Sequence, residues 1–142
     1  MADFILITGD KAMFNPNFGQ AIVTVRPGDL IGTGKDKING KVICVDGDEK
    51  KVTVPGCSYI TPQCSIPGVG MLFIESLASN QKAQKTKSKS KPVLLKGGEF
   101  KAKFTVLVPA QQPSAPNPIP DSTLQYSGTG TFISMNIKVK GT

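Results

Sequence analysis

The pair Asn39-Gly40 stands between Lys37-Ile38 and the alternating run Lys41-Val42-Ile43-Cys44-Val45. Both centre positions of a two-residue hairpin turn need positive φ, which Asn and Gly tolerate, so the pair predicts two short antiparallel strands. Gly47-Asp48 then breaks the second strand. Lys51-Val52-Thr53-Val54 starts a third, and Pro55-Gly56 turns the chain again. From Gly34 to Cys57 the chain therefore reads as very short strands joined by tight turns, and the rest is organised around this stretch.

Elsewhere the pattern points the same way. With 15 Gly, 11 Pro and no Trp in 142 residues, and few helix formers in register, the expected fold is a compact all-β domain spanning 1–142. Short antiparallel strands and hairpins would give it a cone- or pyramid-like form. Phe4 to Thr8 predicts a first strand buried on both faces and ended by Gly9-Asp10. Residues 11–20 read as a loop that anchors Phe14 and Phe18. Ala21 to Val25 and Met71 to Ile74 read as further strands. Glu99 to Val108 alternates cleanly, with Phe100, Ala102, Phe104, Val106 and Val108 on one face and Lys101, Lys103 and Thr105 on the other, as in a half-buried strand. A final hairpin is expected from Leu124-Gln125-Tyr126-Ser127, a turn at Gly128-Thr129-Gly130, and Thr131 to Lys140. Its core face would carry Ile133, Met135, Ile137 and Val139.

Two segments have unusual composition. The run 82–91 holds Lys82, Lys85, Lys87, Lys89 and Lys91. It predicts a helical turn or two over 77–84 and then a mobile, solvated basic loop. Such a loop can attract an acidic partner, but it lacks the aromatic residues and arginines of a nucleic-acid reader. The run 109–120 has five prolines in twelve residues (Pro109, Pro113, Pro116, Pro118, Pro120) and predicts an extended strap kept out of any sheet.

Catalysis finds little support. The chain has no histidine, which removes the usual base for a Ser or Cys nucleophile. Asp46, Asp48 and Glu49 lie where solvated turn acids are ordinary, and Gly32-Thr33-Gly34-Lys35 lacks phosphate-loop spacing. Cys44, Cys57 and Cys64 have no CxxC spacing. They read as buried free thiols, with a three-thiolate metal site completed from outside as the alternative. The N-terminal run Met1 to Thr8 has no basic region or cleavage site, so a cytosolic origin is expected.

The order Ile38-Asn39-Gly40-Lys41 followed by Val45-Asp46-Gly47-Asp48 resembles the core of the proline-alanine-alanine-arginine (PAAR) repeat proteins, and Lys91-Pro92-Val93-Leu94-Leu95-Lys96-Gly97-Gly98 is similar to a second segment of their relatives. The match is good over about residues 30–60, loose over 66–104, and absent elsewhere. Two features depart from the family. Lys41-Val42-Ile43-Cys44 stands where Pro-Ala-Arg-like residues would be, and the missing histidine means that the family's zinc site does not carry over, so no cofactor is expected.

The resemblance implies a structural tip without catalytic residues. One copy would cap a trimeric spike, of the valine-glycine-repeat or phage type, in a contractile injection system such as type VI secretion or a phage tail. It would be assembled in the cytoplasm, delivered outward, meet a membrane only transiently, and have the option of carrying an effector. The contact face is expected to draw on Ile31, Val52, Val54 and Ile66. The alternative is a free-standing β-rich adaptor that uses the lysine loop and proline strap to hold an acidic protein or polyanion.

Overall fold

Closely spaced turn residues cut the chain into short strands, and the computed structural model, which describes residues 3–114, 116–134, 136 and 139–141, is nearly all β. In chain order the strands are β1 (Asp3–Phe4), β2 (Lys11–Phe14), β3 (Asn17–Phe18), β4 (Ala21–Val23), β5 (Gly28–Asp29), β6 (Lys37–Ile38), β7 (Lys41–Val42), β8 (Thr53–Ile60), β9 (Gly68–Ser76), β10 (Lys82–Ser88), β11 (Lys91–Leu94), β12 (Glu99–Val108), β13 (Gln111–Gln112), β14 (Ile119–Pro120), β15 (Gln125–Ile133) and β16 (Lys140–Gly141). The helical elements among the described residues are two 3-10 turns, Asp48–Lys51 and Ser79–Gln81.

Eight strands form one antiparallel sheet in the order β3-β4-β8-β9-β12-β15-β2-β5. It curls until its β3 edge meets β15. There the Asn15 amide donates to the Thr129 carbonyl at 2.8 Å, and the Phe18 ring lies on Gly128. Inside the curl the aromatic rings pack as two runs of tilted and edge-on pairs, one through Phe14, Phe100 and Phe132 and the other through Phe18, Phe104, Tyr59 and Tyr126, with Phe14 and Phe100 at 5.5 Å between centroids. Burying one such ring stabilises the fold by roughly 1.5–3 kcal/mol, whereas an exposed ion pair such as Lys82 with Asp46 contributes about 0–1 kcal/mol. The aromatic core, not surface charge, holds the sheet together.

Several expectations hold. Asn39 and Gly40 take φ of 52° and 77° and join β6 to β7 as a hairpin. Ile5, Leu6 and Ile7 are buried, with Leu6 in the main core and Ile5 and Ile7 in a second, smaller cluster, so this run is covered on both faces. β12 covers the predicted span, although its alternation fails past Phe104: Val106 is half-buried and Val108 is exposed beyond a bulge.

Others are corrected. Residues 11–20 are not a loop but two strands, β2 and β3, because Phe14 and Phe18 are core residues and pull their backbone into the sheet. Pro55-Gly56 makes no turn; it is a bulge inside β8, where pairing with β9 shifts between Val54 and Cys57. Residues 77–84 hold only the 3-10 turn before β10 begins. The lysine run is an ordered hairpin, β10 with β11, turned at Lys89 and Ser90 with φ of 54° and 63°. The proline segment does enter a sheet, as the short pair β13–β14, and Gln111 also bridges Ile66.

No turn occurs at Gly128-Thr129-Gly130, because β15 runs straight through it. A Cβ at Gly128 would stand 2.6 Å from the Phe18 ring, so this glycine gives the ring room rather than bending the chain. Of the expected final face, Ile133 is exposed, and Met135 and Ile137 lie outside the described residues.

Candidate functional site

Three segments far apart in sequence meet in one ring: Ile5-Leu6-Ile7, Ile43-Cys44-Val45 and Val93-Leu94-Leu95. The Leu6 amide donates to the Leu94 carbonyl, Leu94 to Cys44, and Cys44 to Leu6, each at 2.9 Å. One step outward the cycle repeats. Thr8 donates to Val42 at 2.9 Å, Asp46 to Pro92 at 2.8 Å and Lys96 to Phe4 at 2.9 Å. The bridges Ile7 with Ile43, Val45 with Val93, and Leu95 with Ile5 close a third cycle, and these six side chains make most of the smaller cluster. The chain has thus built an internal threefold pseudo-symmetry from one copy of itself.

Each ring segment is followed by a glycine at positive φ: Gly9 at 96°, Gly47 at 102° and Gly97 at 50°. After two of them an aspartate turns back on its own strand. The Asp10 carboxylate accepts from the Ile7 amide at 2.8 Å, and that of Asp48 accepts from the Val45 amide at 2.9 Å. In the third segment Gly98 takes the aspartate's place, and the Leu95 amide donates instead to the Gln81 carbonyl at 2.9 Å. The acids were expected to be solvated turn residues. Asp48 is only 3% exposed and also accepts from the amide and hydroxyl of Thr33 at 2.9 and 2.6 Å, and Glu49 is buried too. A buried carboxylate needs such donors, and here they clamp a strand end to its neighbour.

Each ring segment also carries a two-stranded arm: β6–β7, β10–β11 and β16–β1. In the first two a tight turn joins the strands, at Asn39-Gly40 and Lys89-Ser90. In the third, Asp3 pairs with Gly141 and Phe4 with Lys140, so the first and last strands of the chain supply the arm.

The motif residues fall within this assembly. Ile38 is buried in the smaller cluster, Asn39-Gly40 is the arm's turn, Lys41 is exposed on it, and Gly47-Asp48 is the clamp. The segment Lys91 to Gly98 supplies the third ring member. Sequence reading took Thr8-Gly9-Asp10 for a simple strand end, though its likeness to Asp46-Gly47-Asp48 was the available signal. The expected contact residues do not share a surface. Val52 and Val54 are 2% and 5% exposed core residues, because they face into the curl. Ile31 is 63% exposed beside the ring, while Ile66 is half-buried at the far end of the sheet, next to Gln111.

That far end has a different character. Beyond the line of paired residues Val54, Leu72, Phe104 and Tyr126, the strands and their connections are sparsely charged, with Asp121 and, at the border beside Pro55 and Gly56, Arg26. Exposed apolar side chains gather there: Ile22, Ile60, Leu107, Val108, Ile119 and Leu124. Asp121 is engaged internally, accepting from Tyr126 at 2.6 Å and Tyr59 at 2.9 Å, while the Tyr59 hydroxyl accepts from the Ala110 amide at 2.9 Å. Burial would raise the Asp121 carboxyl, but hydrogen bonds from Tyr126, Thr123 and Tyr59 outweigh it and hold the group below its usual value of 3.8. The Tyr59 hydroxyl is pushed up to about 12, first by burial and then by Asp121.

Cys44, Cys57 and Cys64 are all buried and form no disulfide. The Cys44 thiol is pushed up to about 12 by burial and by the carboxylates of Asp48 and Asp10. Among the described residues no three Cys, Asp or Glu side chains stand close enough together to hold a metal ion. The groove lined by Lys11, Arg26, Asp29, Lys51 and Pro55 is open, and its Lys11 and Arg26 are spoken for by Asp29 and the Pro55 carbonyl. Among the described residues no helix is long and apolar enough to cross a membrane.

The chain is thus a small β-protein with a threefold ring of backbone hydrogen bonds at one end, a sparsely charged end opposite, and its buried acids engaged as structural clamps. The family model described as "Contractile injection system spike tip protein" matches residues 1–142, and the chain belongs to that family. The PAAR-like reading is consistent with this membership. No curated protein matches the chain.

Proposed function

We propose that the protein caps the blunt end of a trimeric spike, one copy per trimer, with its ring end seated on the spike and its sparsely charged, apolar end leading. The observation that carries this reading is the threefold cycle of backbone hydrogen bonds through Leu6, Cys44 and Leu94. A single chain is asymmetric and a trimer is not. A monomer can meet three identical subunits alike only by repeating its own structure three times about one axis. The sparsely charged, apolar far end supports the orientation, since a surface with few charges enters low-dielectric surroundings at less cost than the lysine-rich ring end.

On this reading the tip performs no catalysis and needs no metal. Family membership favours it over a free-standing adaptor, and the machine served is of the type VI or phage-tail kind. Mixing the purified protein with the trimeric spike encoded beside it tests the proposal by native mass spectrometry. One tip per three spike chains is expected, and three tips per trimer, or no complex, would refute it.

A further inference from the structure

The ring end is also the basic end, and its lysines follow the pseudo-symmetry. Lys37 pairs with Val42, Lys87 with Pro92 and Lys140 with Phe4, which is the same register position in each of the three arms. All three are exposed, and none forms an ion pair among the described residues. Lys140 lies 4.9 Å from the centre of the Phe4 ring, a contact that leaves its charge in place. Lys41 and Lys91 repeat at a second position, where the third arm has Asp3.

The acids of the arms bond to neutral donors and not to these lysines. Asp3 accepts from the amides of Phe4 and Gly97 at 2.7 and 2.9 Å, and Asp36 accepts from the Ser88 hydroxyl at 2.9 Å. Three like charges held at equivalent positions repel one another, and this cost has a use if a partner supplies three opposite charges at the same spacing. A lipid surface has no threefold order and would be served by any cluster of lysines.

Resting on the cap reading above, we infer that the spike's blunt end presents an acidic group from each of its three subunits, and that Lys37, Lys87 and Lys140 each receive one. Electrostatic matching of this kind fixes the rotational seating of the tip and speeds its encounter with the spike.

The test measures affinity of the full-length protein for its neighbouring trimeric spike between about 0.05 and about 0.5 M salt, a range over which exposed charge pairs are progressively screened. Affinity is expected to fall steeply with salt. The triple variant Lys37→Glu, Lys87→Glu, Lys140→Glu should bind about 100-fold more weakly at low salt. The single variants Lys37→Ala, Lys87→Ala and Lys140→Ala should each weaken binding by about the same small factor as one another, about 2- to 5-fold, and thermal melts confirm that each is folded. The far-end variant Leu107→Gln, Leu124→Gln should bind as the wild type does.

A one-to-three complex that ignores salt and tolerates the triple variant overturns the acidic-seat inference and leaves the cap reading standing. Failure of the wild-type protein to form that complex removes both. Binding of phosphatidylserine vesicles that depends on these lysines, with spike binding that does not, overturns the inference in favour of an anionic membrane.

Discussion

The hydroxyl of Thr33 donates to the carboxylate of Asp48 at 2.6 Å, tying the irregular segment that leads into one arm to the clamp that leads out of it. The same carboxylate holds the amides of Thr33 and Val45, so its removal strands buried donors. Asp48→Ala should cost about 2–5 kcal/mol, and Asp48→Asn clearly less because one oxygen remains to accept. Urea unfolding followed by circular dichroism measures both, and a loss well under about 1 kcal/mol for Asp48→Ala would show that the clamp is unimportant.

Gly128 separates two readings of the same residue. As a turn residue it would tolerate alanine at a suitable φ, but as the seat of the Phe18 ring it does not. Gly128→Ala should destabilise by about 1–3 kcal/mol, the usual cost of overpacking. Pairing it with Phe18→Leu, which frees space, should give a double mutant more stable than the sum of the two losses predicts.

The Asp121 cluster gives stability a pH dependence. The folded-state carboxyl lies below its ordinary value, so the unfolded chain binds the proton more readily. The contribution of Asp121 is therefore present above the ordinary carboxylate range and is lost as pH falls through the lowered folded value. Asp121→Asn should flatten the stability profile between about pH 5 and about pH 2 relative to the wild type. At the other extreme, the Tyr59 hydroxyl at about 12 against an ordinary 10 contributes stability that is lost as pH rises between those values, and Tyr59→Phe should remove that loss.

Cys44 lies in the ring, buried and with its thiol pushed up to about 12, so little nucleophilic thiolate exists near neutral pH. Labelling of the native protein by iodoacetamide should proceed at Cys44 no faster than global unfolding. Fast labelling there, detected by peptide mass, would mean that the ring opens locally.

The chain's local chemistry was legible without coordinates. The Asn39-Gly40 hairpin, the all-β class, the β12 strand, the burial of the cysteines and the family resemblance all rest on residues close together in sequence. Turn geometry and strand alternation are short-range effects, set by φ preferences and by a side-chain period of two. The hairpin at Lys89-Ser90 escaped notice because neither residue is a usual one at positive φ. There the paired strands impose the turn.

Only the tertiary structure decided which residues serve as core, clamp and surface. Val52 and Val54 look like any apolar pair in sequence, but the curl of the sheet turns them inward, and Phe18 against Gly128 converts an apparent turn into the middle of a strand. The threefold ring is likewise a relation among Leu6, Cys44 and Leu94, whose side chains differ and whose bonds run between main-chain atoms. Backbone hydrogen bonding leaves only a partial mark on residue identity, here the likeness of Thr8-Gly9-Asp10 to Asp46-Gly47-Asp48, so the symmetry on which the proposed docking depends became visible only once the three segments were brought together.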